Sequence, residues 1–302
     1  PGVPPPAAGG KIRGMNTVAK PQSITPELRR WIIEQAEAGC RPQDVIEAMK
    51  SSGWQEDVAI RAMENTLREH LASLPPDESD LPPPVPVPEP ALTGAPSELV
   101  AEGHVVKVLT TLKHPRVVVF GGLLTDEECT GLMKLAEARL SRSETVDNAT
   151  GGSEVNPSRT SDGMFFERGE HPLIQRIERR IAALLGWPLV NGEGLQILRY
   201  RPGAEYKPHH DYFDPVHAGS ATILARGGQR VGTLVMYLNT PEGGGGTTFP
   251  EVGLEVAPVR GNAVFFSYTR AHPSTKTLHG GAPVLAGEKW VATKWLRERE
   301  FI

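Results

Sequence analysis

Leu195-Gln-Ile-Leu-Arg-Tyr200, Gly232-Thr-Leu-Val-Met-Tyr-Leu-Asn-Thr240, Gly253-Leu-Glu-Val-Ala-Pro258, Gly261-Asn-Ala-Val-Phe-Phe-Ser-Tyr268 and Lys289-Trp-Val-Ala-Thr-Lys-Trp-Leu296 are short apolar runs parted by Gly- and Pro-rich turns. Runs of this length, bounded by turn residues, read as strands rather than helices. Their repetition from Gly194 to Trp295 points to a β-sandwich or barrel. Upstream, Pro115–Phe120 is a β-branched strand. Thr125 with Glu128 forms a capping box for a helix carrying Leu132, Leu135, Ala136 and Leu140. His171–Leu185 follows as an amphipathic helix with Ile174, Ile177, Ile181 and Leu184 on one face. No helix is expected after it.

Further upstream the character changes twice. Residues 75–98 are a Pro-rich acidic stretch that cannot build a core of its own, and they read as an extended spacer. Residues 22–74 read as three short helices. Thr25-Pro26 starts the first, which carries Leu28, Trp31 and Ile32 and stops at Gly39. Pro42–Met49 makes the second with Val45, Ile46 and Met49. Glu56 to His70 makes the third with Val58, Ala59, Ala62, Met63 and Leu67. Residues 1–21 are read as a disordered terminus, and Met15 as a candidate true start.

The 302 residues carry a net charge of −4, so no bulk field favours nucleic acid or an anionic membrane. No run approaches the roughly 18 apolar residues of a membrane-spanning helix. Cys40 and Cys129, the only two cysteines, form neither a disulfide framework nor a CxxC metal site. No secretory leader is apparent either. The expectation is a cytoplasmic protein without nucleic-acid or membrane partners.

The chemistry concentrates in Tyr206-Lys-Pro-His209-His210-Asp211-Tyr212. On an extended segment alternate side chains share a face, so His209 and Asp211 can reach one ion while His210 points away. His279 follows 70 residues after His209 (279 − 209) and can supply a third donor. Two imidazoles and one carboxylate on one side of a metal leave positions open, as non-haem iron(II) oxygenases require. Lys289, ten residues beyond His279, supplies the cation that a dicarboxylate cosubstrate needs.

Three stretches carry a resemblance to a known family. Tyr200-Arg-Pro-Gly-Ala-Glu-Tyr-Lys-Pro-His-His-Asp-Tyr-Phe213 resembles the iron-binding segment of the prolyl 4-hydroxylase catalytic domain. Arg230–Asn239 with Gly245-Gly-Thr-Thr-Phe-Pro250 resembles its next strands and turn, and His279–Trp295 its closing motif. The likeness runs from about 115 to 300. It implies an α+β fold, a double-stranded β-helix of the jelly-roll, cupin-like kind with flanking helices, over 99–302. It implies Fe(2+), 2-oxoglutarate, O2 and L-ascorbate as cofactors, and C4 hydroxylation of peptidyl proline with release of succinate and CO2. Residue by residue, it implies His209, Asp211 and His279 as metal ligands and Lys289, Tyr200 and Thr247 as 2-oxoglutarate contacts. Arg159, Ser161, Glu193, Tyr206, Arg230 and Trp295 fall at positions lining the peptide channel. Gly245-Gly246 depart from the family pattern, where a Glu commonly precedes the Thr, so a looser turn is expected there. Two alternatives stay open: a 2-oxoglutarate oxygenase for another residue or a small molecule, and a non-catalytic metal-binding cupin scaffold. Ser52-Gly-Trp-Gln-Glu-Asp-Val-Ala-Ile-Arg-Ala-Met-Glu-Asn-Thr-Leu67 resembles the last two helices of a ubiquitin-associated-like (UBA-like) three-helix module, which implies a protein partner.

Overall fold

The computed structural model describes residues 24–73, 81–142, 145–146, 153–154, 160–217 and 219–302. The chain forms two compact units that meet in sequence at Asp80 and Leu81, and each is described by itself. The first holds α1 (Pro26–Glu37), α2 (Pro42–Ser51) and α3 (Glu56–Ser73). Thr25 caps α1 by accepting a hydrogen bond from the Leu28 amide, and Pro26 sits in the first turn, where no N–H is needed. Leu28, Trp31, Ile32, Val45, Met49, Trp54, Ala59, Ala62 and Met63 form one small core. The apolar spacings thus converge on a single centre.

The second unit contains two main sheets. The larger runs from edge to edge as β1 (Glu98–Ala101), β2 (His104–Leu112), β3 (Arg116–Gly121), β14 (Ala263–Ser267), β10 (Arg230–Tyr237), β17 (Lys289–Arg297), β8 (Leu195–Tyr200), β7 (Asp162–Phe166) and β4 (Ser141–Arg142). The smaller has the order β13 (Leu254–Val256), β12 (Thr247–Phe249), β15 (His279–Gly281) and β9 (Tyr206–His209). Two-residue strands form two further pairs, β5 (Thr145–Val146) with β6 (Ser153–Glu154), and β11 (Gly243–Gly244) with the three-residue β16 (Val284–Ala286). Period-two alternation divides the larger sheet. One face, including Phe120, Ile197, Met236, Phe265 and Ala292, packs against Leu132 and Ala136 of α4 (Asp126–Glu137) and Ile174, Ile177 and Ile181 of α5 (Pro172–Leu185). The other face, including Leu198, Tyr237, Phe266 and Val291, meets Phe249 and Val256 of the smaller sheet. The strands form a sandwich, as the spacing of the runs implied, with α4 and α5 on one side.

α4 carries the expected capping box, and Glu128 does more than cap. Its carboxylate accepts from the Thr125 amide at 3.1 Å, from Arg180 of α5 at 2.6 and 2.9 Å, and from Arg176 at 3.0 Å. Burial pushes this carboxyl up, but the Arg180 guanidinium, the Thr125 amide and Arg176 outweigh it and hold the group at about 2 instead of 4.5. A depressed acid stabilises the fold above its unfolded pKa and loses that contribution as pH falls from 4.5 toward 2. Glu128→Gln leaves the buried Arg180 without its counter-charge. It is expected to cost about 3 kcal/mol at pH 7 and much less at pH 2. Thermal melts at both pH values check this, and equal losses would refute the charge argument.

Two expectations need correction. Residues 81–98 are not a free spacer, because the second unit begins at Leu81 rather than at 99. The Val85 amide donates to the Thr269 carbonyl and the Glu89 amide to the Leu185 carbonyl, while Pro88 lies against Gly232. A proline-rich strand cannot make a core, but it can lay its few N–H groups and its rings along one already made. A six-residue helix, α6 (Ser220–Ala225), follows where none was expected. It is too short to show helical periodicity. No helix among the described residues is long and apolar enough to cross a membrane.

Candidate active site

Seventy residues of separation close in one cross-strand pair. β9 and β15 run antiparallel with His209 opposite His279. The approach requires glycine at 280, where a Cβ would stand 2.9 Å from the Tyr206 carbonyl oxygen and 3.1 Å from Pro208 N. Asp211 lies just past the end of β9, with Oδ1 3.5 Å from His209 Nε2 and Oδ2 3.4 Å from His279 Nε2. The three donor atoms lie within 4.8 Å of one another, the one such group among the described residues. Metal–ligand bonds of roughly 2.1 Å at right angles put donors about 3 Å apart, so the set fits a single ion with little movement.

The surroundings prepare each donor. His209 Nδ1 is 2.9 Å from the Lys207 carbonyl and His279 Nδ1 3.0 Å from the Thr277 carbonyl. With Nδ1–H donated to a backbone oxygen, each Nε2 lone pair faces the cluster. Burial, then the neighbouring His279, pushes the His209 pKa down and keeps its imidazole neutral. Burial opposes the Asp211 charge, but His279 and His209 outweigh it and hold the carboxyl well below the usual range. Asp211 Oδ2 also accepts from Thr233 Oγ1 at 2.7 Å, and Thr233 Oγ1 lies 3.1 Å from the Tyr268 hydroxyl. His210 is outside the group and stacks on Tyr212 at 4.7 Å, as strand parity requires.

His209, Asp211, His279 and Thr233 line a cavity that opens to solvent. Lys289 enters it from β17, opposite Tyr200 of β8, and is 4% exposed. Its ammonium stands 5.3 Å from the Tyr200 ring centroid and 5.9 Å from that of Tyr237. It makes no ion pair with any described residue. Burial, opposed by Glu255, pushes it down to about 8. Thr247 lines the same cavity and accepts a 2.8 Å hydrogen bond from the Tyr237 hydroxyl. The turn at Gly245-Gly246 is not loose. The Gly245 amide donates to Pro283 O and the Ala282 amide to Gly246 O, and a Cβ on Gly246 would lie 2.2 Å from Glu255 Oε1. The Glu255 side chain occupies the space that a side chain at 246 would need.

The expected channel residues divide. Tyr206 and Trp295 line the cavity, Tyr206 stacking on His209 with centroids 3.7 Å apart. Glu193 and Arg230 do not line it. Buried Glu193 and half-buried Arg230 form a bidentate pair of 2.6 and 2.9 Å, Arg297 adds a 2.6 Å bond to Glu193, and the Arg230 guanidinium lies 4.0 Å from the Trp295 ring centroid. Their charges are spent on each other. Ser161 is fully buried and also outside the lining, and Arg159 lies outside the described residues. Sequence reasoning missed Thr233, Tyr237 and Tyr268. The available signal was a hydroxyl residue inside an apolar run, since a buried polar group needs a partner.

A His-Asp-His set in a cavity that also holds a buried ammonium has the donors that a non-haem iron ion and a dicarboxylate would fit. Comparison with known proteins agrees. The 2OG-Fe(II) oxygenase superfamily profile matches residues 195–297. Prolyl 4-hydroxylase 2 of Arabidopsis thaliana is 38% identical over 234 residues, covering 70% of this chain and 75% of its own. Prolyl 4-hydroxylase 1 of the same plant is 42% identical over 202 residues, covering 61% and 70%. A viral collagen prolyl hydroxylase from Paramecium Bursaria Chlorella virus-1, solved as its 2OG complex, is 30% identical, covers 60% of this chain and 95% of its own, and has a TM-score of 0.47. The chain belongs to the prolyl 4-hydroxylase family of 2OG-Fe(II) oxygenases. It is therefore an enzyme that uses Fe(2+), 2-oxoglutarate and O2, and the scaffold alternative falls.

Proposed function

We propose that this enzyme hydroxylates peptidyl proline at C4, with His209, Asp211 and His279 holding iron and Lys289 holding the far carboxylate of 2-oxoglutarate. The observation carrying this reading is the placing of the three donors and the ammonium around one cavity that Tyr206 and Trp295 also line. Iron(II) with 2-oxoglutarate and O2, when bound, supplies the oxidising power that replaces C–H by C–OH, with succinate and CO2 as the other products. The protein's own part is positional. The two Nε2 atoms and the Asp211 carboxylate would hold the ion, the carboxylate cancelling one of its two positive charges. Lys289, with the Thr247 and Tyr200 hydroxyls, orients the cosubstrate and keeps its far end dry. Tyr206 and Trp295 offer ring faces to a proline, and Leu198, Val235 and Val291 exclude water from the reacting carbon.

The double-stranded β-helix is the finer description we give to the two-sheet sandwich. We read the N-terminal helices as a UBA-like module that binds a protein partner and raises the local concentration of substrate. Support comes from Gly53-Trp54 closing the turn before α3, with Trp54 buried in the small core. The free cysteines, Cys40 and Cys129, agree with a reducing, cytoplasmic setting. Incubation with Fe(2+), 2-oxoglutarate, ascorbate and a proline-rich peptide is expected to add one oxygen to a proline, located by tandem mass spectrometry. Succinate release with the oxygen on another residue, or on none, would overturn the proline assignment while leaving the oxygenase in place.

A further inference from the structure

The hydrogen bonds behind Asp211 have a direction. Its carboxylate can only accept, and a threonine hydroxyl has one proton. At 2.7 Å, Thr233 Oγ1 must therefore donate to Asp211 Oδ2, within the short range of a charge-assisted O–H···O bond. Thr233 has no second proton for Tyr268, so the Tyr268 hydroxyl, 3.1 Å away, donates to Thr233. Thr233 is 0% and Tyr268 2% exposed, so water does not compete. Both belong to the larger sheet. Thr233 sits in mid-β10 between Phe266 and Trp295, and the Tyr268 amide just past β14 bonds to the Val231 carbonyl. Asp211 instead follows β9 of the smaller sheet. The two hydroxyls thus pin the carboxylate of one sheet to the rigid centre of the other.

We propose that Tyr268 and Thr233 form a positioning relay that occupies Asp211 Oδ2 and confines the residue to one-oxygen ligation of the metal. This rests on reading His209, Asp211 and His279 as the metal site. A six-coordinate ion with three protein donors would have three places left for cosubstrate and O2. A carboxylate free to turn and bind through both oxygens would take one of those places.

The test is Co(2+) binding to the full chain, by chelator competition and by the visible spectrum of the bound ion, whose intensity follows coordination number. Thr233→Val removes the donor at constant shape. It is expected to weaken Co(2+) 10- to 100-fold, the usual loss for a partner of a metal ligand, and to alter the spectrum. Thr233→Ser restores both. Tyr268→Phe has a smaller effect, and Thr233→Val combined with Tyr268→Phe is no worse than Thr233→Val alone, because the tyrosine acts only through the threonine. Wild-type affinity and spectrum in Thr233→Val, or additive losses in the double variant, overturn the relay. Should Thr233→Val not fold, Tyr268→Phe decides, and a wild-type affinity and spectrum there overturns it. A wild-type chain that takes up no Co(2+) removes the metal-site reading and the relay with it.

Discussion

Asp211→Ala, or equally His209→Ala, is expected to bring 2-oxoglutarate-dependent succinate release down to background while the fold survives. Each deletion removes one of three donors. Losing even an outer partner of a metal ligand typically costs 10- to 100-fold, so loss of the ligand itself should exceed that range. The two sites should fail alike in turnover but differ in stability. His209 contributes mainly its stack on Tyr206 to the metal-free fold. Asp211 is a buried anion that His279 and His209 hold ionised, and its removal also strips the Thr233 hydroxyl of its acceptor. Succinate assays with circular dichroism on the same preparations separate activity from folding. Full turnover in either variant would defeat the assignment of the metal site.

The second large effect is at Lys289. Lys289→Ala is expected to raise the 2-oxoglutarate requirement by on the order of a hundredfold or more, because one side of a buried ion pair is worth about 3–5 kcal/mol. Co(2+) affinity stays near that of the parent, since the ammonium is not a metal donor. The pH dependence gives the sign. Anchoring a carboxylate requires the charged amine, and Lys289 loses its proton at about 8 in the free protein. Apparent 2-oxoglutarate affinity should therefore fall about tenfold per unit as pH rises beyond that value, and Lys289→Ala should lose this limb. Stability runs the other way. A lysine whose pKa is depressed from 10.5 to about 8 destabilises the fold when protonated, and that penalty lifts as pH climbs through this window. Lys289→Met should then melt higher than the parent at pH 7 without cosubstrate. Unchanged 2-oxoglutarate dependence would place the anchor elsewhere.

Much of this site was legible because it obeys strand parity. His209 and Asp211 share a face, His210 does not, and both facts follow from period two alone. The partner at 279 was legible as a candidate, but its approach depends on register and on a glycine at 280, which a linear string does not encode. Glu193 and Arg230 read as channel residues only through the family resemblance. Each found the other across 37 positions of sequence, a long-range pairing that local pattern cannot reveal. Glu255 filling the space beside Gly246 is hidden because it depends on the register of β12 against β13. Pro88 and its neighbours failed differently. Their composition correctly denies a core of their own, yet says nothing of an existing surface that accepts them.

The facing pair His209 and His279 also has a temporal meaning. Neither strand alone offers two imidazoles, so on the proposed metal site the chain could not grip an ion until β9 and β15 have zipped together in register, and a slip of one residue would turn His279 outward. An ion seated there would be a clasp over a long loop, and mass action would tie melting temperature to metal supply. A cell short of iron would then hold this enzyme not merely idle but easier to unravel.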